Sequence, residues 1–359
     1  MFPIYAEFKI LYLAHKQYWN DKNPLNIRLI NKSYAYGEYM SIVVSEIYLR
    51  ISPDKFKCIP PFWKKWTHCF YSVTIEGYYG SWKSIDGVNH FEYTRRYNDE
   101  DISFLKGIKN VTLHALQDVT DMSIFKNANS VTLFDMPRVV DVSSLADVPH
   151  VTLDRINVTD VSCLVKAKQL HLDRIPVKDI SALKAVRWLI LTKLHRIELN
   201  CLKNKWLFLN EMDMRGCVSL ANIEYVRLMG PKFIFDSDNL NPLHFLLNVK
   251  RVELDNLTIS DVSALRYAEK VTMRSMHRVT DVSELCNVAD ISLEFMDMIE
   301  DVSPLGLVHT LKLEWLRCVR NVNCLGGVRN LTLRGLSNVS DVSGLRNVGC
   351  LTMCQLCIR

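Results

Sequence analysis

The sequence predicts an α/β repeat solenoid, with a parallel β-sheet on its concave face, short 3₁₀ or helical turns on its convex face and a helical segment over its N-terminal end. Three observations predict it. A signature, Asp-Val-Ser-x-Leu, recurs at steps of 19 or 20 residues, an apolar-x-apolar triplet precedes each copy, and further apolar residues fall three apart. One such unit cannot bury both its faces, so neighbouring units must stack.

The signature occurs in two groups of five. Between the groups, three degenerate copies are present: ELNCL from Glu198, GCVSL from Gly216 and NLNPL from Asn239. We therefore expect one continuous array of about 14 units over residues 71–359, irregular at 198–250. The in-frame copies begin at Asp101, Asp121, Asp141, Asp160, Asp179, Asp261, Asp281, Asp301, Asn321 and Asp341.

The triplets predict the strands of the sheet. Two apolar residues separated by one polar residue have the period of a strand with one buried face. The remaining apolar positions, three apart, suit 3₁₀ turns on the opposite side of each coil. The triplets begin at Val111, Val131, Val151, Val252, Val271, Leu311 and Leu331, and the same spacing extends upstream to Phe91 and Val73.

The signature aspartate has a structural interpretation. Its carboxylate can accept hydrogen bonds from backbone N–H groups two and three residues on and so cap the helical turn. The alternative is a ladder of calcium sites. Calcium-binding β-rolls use a glycine-rich nonapeptide, whereas this chain has 13 glycines and a unit of about 20 residues, which favours capping.

The segments LTLRGLSNVSDVSGL, from Leu331, and LKLEWLRCVRNVNCL, from Leu311, carry a family resemblance. They resemble leucine-rich repeats of the DVSxL and DISPL type found in listerial internalins and protozoan surface proteins. The position that is usually Asn or Cys in that family is apolar here, so we expect each bend to close by packing and by the Asp-x-Ser element. These apolar residues are Leu116, Met136, Ile156, Ile175, Leu257, Met276, Met296, Leu316 and Leu336.

The strand positions that face away from the core are the candidate partner-binding sites. The middle residue of each triplet is often Thr, which suits an exposed sheet face. The residue after each triplet varies in charge and size on a fixed scaffold, as a recognition surface requires. The predicted concave-face residues are His114, Phe134, Asp154, Asp173, Arg274, Glu294, Glu314, Trp315 and Arg334. The aromatic residues Phe134, Phe295 and Trp315 are candidate anchors for a partner, and the alternative is that each is folded under a loop.

Composition excludes several classes of protein. An apolar fraction of 48% with 23% charged residues is typical of an ordered chain. A net charge of +5 without a long basic run argues against a nucleic-acid partner, and no stretch is apolar enough to span a membrane. The 11 cysteines without an export signal predict reduced thiols and a cytoplasmic or nuclear location.

Catalytic and cofactor motifs are not found, so we predict a protein with no catalytic, cofactor or metal residues. The nearest metal motif is CxxxCxxC at Cys350, Cys354 and Cys357. No second Cys/His pair lies at zinc-finger spacing, and we favour an end cap of buried thiols over a metal site.

The first 50 residues do not repeat, and we predict a helical cap there, joined to the solenoid by residues 51–70. The segment has Pro3, then an apolar helical run that includes Ile10 and Leu11, then a polar break, and then Pro24-Leu25 and Leu29-Ile30-Asn31-Lys32-Ser33. This order resembles the F-box, a three-helix segment that docks on the adaptor subunit of a cullin-RING ubiquitin ligase. That resemblance implies adaptor contacts at Pro3, Ile10, Leu11, Leu25, Leu29 and Ile30.

Three functional hypotheses follow. The first is a non-catalytic substrate receptor of a ubiquitin ligase, which holds a protein target on the concave face. The second is a plain leucine-rich-repeat scaffold or blocking module whose N-terminus is only a cap. The third, an internalin-like adhesin, is the least supported because we find no export or anchoring signal.

Overall fold

The computed structural model describes residues 27–28, 48–51, 72–76, 80–85, 88–93, 99–235 and 241–356. Apart from the short helix α1 (Asp99–Ile102), the regular structure in these ranges is strand and 3₁₀ turn. The strands are β1 (Ile27–Arg28), β2 (Tyr48–Ile51), β3 (Ser72–Glu76), β4 (Gly80–Ile85), β5 (Val88–Tyr93), β6 (Asn110–His114), β7 (Ser130–Phe134), β8 (His150–Asp154), β9 (Gln169–Asp173), β10 (Trp188–Thr192), β11 (Trp206–Asn210), β12 (Tyr225–Met229), β13 (Arg251–Asp255), β14 (Lys270–Arg274), β15 (Asp290–Glu294), β16 (Thr310–Glu314), β17 (Asn330–Arg334) and β18 (Cys350–Cys354).

Sixteen of the described strands form one sheet, in the order β1-β2-β3 and then β6 to β18. Apart from the antiparallel pair β1–β2, neighbouring strands in this sheet are parallel. Most coils return through one 3₁₀ turn, so the fold is a leucine-rich-repeat solenoid, as the repeat predicts. The 3₁₀ turns are Ser103–Leu105, Ser123–Phe125, Ser143–Leu145, Ser162–Lys166, Ser181–Ala185, His244–Leu246, Ser263–Tyr267, Ser283–Asn287, Ser303–Leu305, Asn323–Gly327 and Ser343–Asn347.

One core runs through the stacked coils. The second and fourth residues of a strand are buried, as Val151 and Leu153 are in β8, and the signature contributes residues such as Val161 and Leu164. Strand register places Leu153 beside Leu133 on one side and Leu172 on the other. Each coil therefore fills a core that it shares with both neighbours.

The signature aspartates bond to the first residue of the 3₁₀ turns, so the predicted bond to the N–H two residues on is confirmed, whereas the predicted bond three residues on is not seen in the described coils. The Asp301 carboxylate accepts the N–H of Ser303 at 2.8 Å and its hydroxyl at 2.9 Å. Asn321 takes the same role through its amide oxygen, 3.0 Å from the nitrogen of Asn323. Equivalent bonds of 2.7 to 2.9 Å from the serine N–H are made by Asp121, Asp141, Asp160, Asp179, Asp261, Asp281 and Asp341.

Each bend after a strand closes in two ways. The apolar residues that replace the asparagine ladder, such as Leu116 and Met136, are buried, so the expected packing is confirmed. The residue before each of them is left-handed, with φ of 58° at Ala115 and 54° at Asp135. The N–H of Ala115 then donates to the Phe134 carbonyl of the next strand at 2.8 Å. This left-handed residue is an element that the repeat does not predict.

The structure differs at three places from the repeat units predicted by the sequence. Phe91 is not on a strand of the large sheet, because β4 and β5 form a separate antiparallel hairpin and β3 pairs directly with β6. The degenerate copy at Asn239 is out of register by three residues. Leu246, rather than Leu243, takes the place of the signature leucine, since the N–H of Val249 bonds to its carbonyl as that of Ala268 bonds to Leu265. Strand β11 carries no predicted triplet.

In the N-terminal segment, the described residues 27–28 and 48–51 are strands, whereas we predicted helices over residues 1–50. Pro3, Ile10, Leu11, Leu25, Leu29 and Ile30, the predicted adaptor contacts, lie outside the described residues. Among the residues that the structure does describe, no helix has the length and apolar content that a membrane crossing requires.

Candidate functional site on the concave face

The concave face consists of the first, third and fifth residues of each strand, because the second and fourth point into the core. Eight of the nine predicted residues are the fifth residue of a strand, and Trp315 directly follows β16. Register places them in two groups, separated by β10 to β13. The first group is His114, Phe134, Asp154 and Asp173, and the second is Arg274, Glu294, Glu314, Trp315 and Arg334.

The first group is held together by one aromatic contact and two arginines. The rings of His114 and Phe134 lie 4.2 Å apart, and the guanidinium of Arg155 lies 4.1 Å from the Phe134 centroid. Arg174 donates to Asp154 at 3.0 Å and to Asp173 at 3.0 Å. Burial, followed by the neighbouring Asp173 charge, raises the pKa of the Asp154 carboxyl. Asp154 is only 7% exposed, so it orients Arg174 and presents little of its own surface.

Three residues of the second group belong to a longer charge ladder, which we define as Arg227, Glu253, Asp255, Arg274, Glu294, Lys312 and Glu314. Arg274 bonds to Glu253 at 2.7 Å and to Glu294 at 2.7 Å. Lys312 bonds to Glu294 at 3.0 Å and lies 3.1 Å from Glu314. Arg227 lies 3.5 Å from Glu253 and 3.4 Å from Asp255. Arg274 and Lys312 therefore each bridge carboxylates from two strands, and Arg227 bridges two carboxylates of β13.

The ladder is largely paired within the protein. Burial raises the pKa of Glu294, but the hydrogen bonds from Arg274, Lys312 and Ser292 outweigh it, and the net pKa is lowered. At one end of the ladder, the Tyr225 hydroxyl donates to Glu253. Burial and this bond raise the pKa of Tyr225, so it remains protonated. The ladder thus gives the concave face a fixed shape with little unpaired charge.

Phe295 and Trp315 form an aromatic pair beside this ladder. Their rings are stacked at 6.2 Å with an interplanar angle of 4°, and Phe295 is 49% exposed. Gly335 occupies the next turn at the same position. A Cβ at Gly335 would lie 2.5 Å from the Trp315 ring, so only glycine leaves room for the indole to lie over this backbone. Phe295 thus presents exposed apolar surface directly after β15, next to the concave face.

The largest aromatic cluster on the face lies between the two groups and was not predicted. We define the aromatic patch as Trp188, Trp206, Phe208 and Tyr225. Trp188 and Trp206 are stacked at 5.1 Å, Trp206 lies 4.7 Å from Tyr225, and Phe208 lies 5.6 Å from Tyr225. Trp188 is 38% exposed. The signal available in the sequence was an aromatic residue at the start of three consecutive strands. The apolar triplets do not include this first strand position.

The C-terminal cysteines do not form the buried cap that we predicted. Cys350 and Cys354 lie on β18, whose five residues are all exposed, and Cys357 lies outside the described residues. The described part of the chain contains no group of three or more His, Cys, Asp or Glu side chains placed to hold a metal ion.

Two of the open clefts in the described part of the chain are lined by charged residues. One, of about 450 Å³, lies in the irregular middle of the solenoid and is lined by Arg196, Ile197, Glu198, Asn200, Asp213, Arg215 and Gly216. In it, the Arg215 guanidinium forms a paired bond with Asp213 at 2.9 and 2.6 Å, which lowers the pKa of that carboxyl. The other, of about 380 Å³, is bordered by the ion pairs of Glu224 with Arg251 and of Lys250 with Glu269.

Comparison with known proteins gives only distant similarity. No protein-family model matches the chain, and no curated protein matches it. Among solved structures, the chain is similar to an internalin, InlF, of Listeria monocytogenes, at 16% identity over 81% of this chain and 88% of that chain, with a TM-score of 0.45. It is also similar to a leucine-rich-repeat protein of Leptospira interrogans, at 13% identity over 86% and 84% of the two chains, with a TM-score of 0.46.

A third similar structure is the functional domain of the Listeria protein InlJ, which is described as including a cysteine ladder. It is 16% identical over 72% of this chain and 60% of that chain, with a TM-score of 0.41. At these identities and TM-scores the similarity transfers no function to this chain.

Proposed function

We propose that the protein is a non-catalytic recognition module that binds a protein partner on its concave face. The observation that carries the proposal is the aromatic patch. It presents two tryptophans, a phenylalanine and a tyrosine on an outward sheet face whose equivalent positions elsewhere are mostly small or paired. Aromatic side chains are enriched among the residues that dominate binding energy at protein interfaces.

Two further features support this assignment. The backbone register is uniform, so the concave face is rigid and needs little ordering on binding. The charge ladder and the Arg174 contacts hold long side chains in single positions, which lowers the entropy lost when a partner docks.

Affinity capture with the full chain tests the proposal. The double variant Trp188→Ala, Phe208→Ala is compared with wild type and with Tyr267→Ala, a 62% exposed residue at the end of a 3₁₀ turn. We expect specific partners to be retained by wild type and by Tyr267→Ala and lost from the double variant. Retention by the double variant, or loss from Tyr267→Ala alone, would contradict a concave-face site. Circular dichroism melting curves check that all three chains fold.

A more specific role, that of substrate receptor in a cullin-RING ubiquitin ligase, is supported by sequence order alone: Pro3, then Ile10 and Leu11, then Leu29 and Ile30. A cytoplasmic or nuclear location belongs to the same proposal. We expect the full chain to capture the ligase adaptor, and Leu11→Asp or Leu29→Asp to abolish that capture. If the wild-type chain captures no adaptor, the ligase role is wrong and the concave-face proposal is unaffected.

A further inference from the structure

The aromatic patch has a border of basic residues. Lys168, Arg187 and Lys205 directly precede β9, β10 and β11. Their carbonyls accept the N–H groups of Trp188, Trp206 and Tyr225 at 3.1, 3.0 and 3.2 Å, respectively. Because these bonds tie each basic residue to the first residue of the next strand, the three basic side chains form a row along one edge of the patch.

A second row of basic residues lies slightly further back, near the end of a 3₁₀ turn in two coils and three residues before β11 in the third. It consists of Lys166, Lys184 and Lys203. We call the two rows together the basic border. The stretches 161–172, 180–197 and 199–210, which contain it, include no Asp or Glu. In the coil of β14, by contrast, the equivalent positions carry both signs, with Arg266 and Glu269. The basic border therefore runs over three consecutive coils, those of β9, β10 and β11, and the last two of these carry the tryptophans.

Most of this positive charge is available to a ligand. Within residues 99–235 and 241–356, Lys166 pairs with Asp147 at 2.8 Å and Lys205 with Glu224 at 3.5 Å. The same ranges contain no carboxylate within salt-bridge distance of Lys168, Lys184, Arg187 or Lys203, and all four are exposed. A surface with several unpaired cations attracts an anionic partner and disfavours a basic one.

We propose that the aromatic patch and the basic border together bind an acidic protein segment that carries an aromatic or long aliphatic side chain. The inference rests on the proposed function and names the chemistry of its partner. The apolar side chain would pack on the exposed part of Trp188 beside Phe208, while the segment's carboxylates lie along Lys168, Arg187 and Lys205. The apolar anchor supplies affinity and the charges supply orientation and association rate.

The ring arrangement favours a peptide over single-stranded nucleic acid. Proteins that bind single strands stack successive bases on free aromatic faces. Here Trp206 lies between Trp188 and Tyr225, so its two neighbouring rings cover it, and one face of Trp188 is also covered.

A random-peptide display selection on the full chain tests the proposal without assuming a sequence. Selected peptides are expected to carry net negative charge and at least one aromatic or long aliphatic residue. The most enriched peptide is then measured by fluorescence anisotropy at increasing salt. Arg187→Glu or Trp188→Ala should weaken its binding at least tenfold, and added salt should weaken it further.

Arg329→Glu is the matched control, since Arg329 precedes β17 in the same register and lies outside the patch. It should leave peptide affinity within twofold of wild type. Neutral or basic selected peptides, or binding that survives Arg187→Glu, would overturn the proposal. Equally tight binding of oligodeoxythymidine, with the same sensitivity to Arg187→Glu and Trp188→Ala, would also overturn it. If partner capture still depends on Trp188 and Phe208 in that case, the concave-face proposal is unaffected and only the inferred acidic partner is wrong.

Discussion

Leu153→Ala is expected to lower the free energy of unfolding by about 2 to 5 kcal/mol. Leu153 is fully buried in β8 and contacts a core that continues through Leu133 and Leu172 on the neighbouring strands. Truncation removes apolar contacts from all three coils and leaves a cavity that a regular, hydrogen-bonded sheet cannot close. The loss is large because every coil depends on both neighbours for its core.

Thr152→Ala provides the matched control, because Thr152 is the adjacent residue on the same strand and faces outward. We expect it to change the unfolding free energy by less than about 0.5 kcal/mol. Urea denaturation followed by circular dichroism measures both variants. Equal losses would show that the two faces of β8 are not core and surface, which would contradict the strand register that defines the concave face.

The solenoid is expected to lose stability in acid, and the capping aspartates to be a main cause. Backbone N–H bonds from the serines lower the pKa of Asp160, Asp179, Asp281, Asp301 and Asp341 below that of an ordinary aspartate. A carboxyl with a lower pKa in the folded state binds protons more readily when unfolded. Its contribution is therefore present above the unfolded pKa of about 4 and is lost as pH falls through the folded pKa.

Replacement of these five aspartates by Asn tests the origin of the acid sensitivity. Asn321 shows that an amide oxygen can accept the same bond, at 3.0 Å from the nitrogen of Asn323. The five-Asn variant should be less stable than wild type at neutral pH and should lose less stability between pH of about 5 and 3. The control is a variant in which five exposed carboxylates outside the signature are neutralised, Glu300→Gln among them. Its net charge equals that of the five-Asn variant. If the control and the five-Asn variant have the same pH dependence, capping is not the cause.

The regular parts of the fold could be predicted because their chemistry repeats. The alternation at Val151 and Leu153 fixes a strand, and Asp301 and Ser303 fix a capped turn whichever coil they are in. The left-handed residue after each strand was not predicted, because positions as different as Ala115 and Trp315 adopt it. Its conformation is imposed by the hydrogen bond to the next strand, which no local pattern encodes.

The irregular middle was predicted less well for a related reason. Strand β11 follows a degenerate signature, and its coil uses a buried amide instead. Asn204, which is 1% exposed, donates to the carbonyls of Leu183 and Val186 at 2.8 and 2.6 Å. Such a bond links two coils through one side chain, so it depends on a neighbour about 20 residues away and not on the local sequence.

The sequence predicted where the candidate residues lie better than it predicted how their side chains are paired. The fifth residues of the strands do lie on the concave face, but Asp154 and Glu294 are nearly buried in ion pairs that only the strand register reveals. The alternating signs of Glu253, Arg274 and Glu294 at intervals of about 20 residues were a usable signal for this pairing. The aromatic patch was missed because three of its four rings, Trp188, Trp206 and Tyr225, are the first residues of their strands.

Photo-crosslinking tests the central claim, recognition on the concave face, most directly. A benzophenone amino acid replaces Phe208 within the aromatic patch or, as the control, Tyr267 at the end of a 3₁₀ turn. We expect illumination in cells to give a discrete crosslinked protein from position 208 and none from position 267. The Arg187→Glu substitution should reduce the yield of this adduct. The same adduct from position 267, or none from position 208, would contradict concave-face recognition.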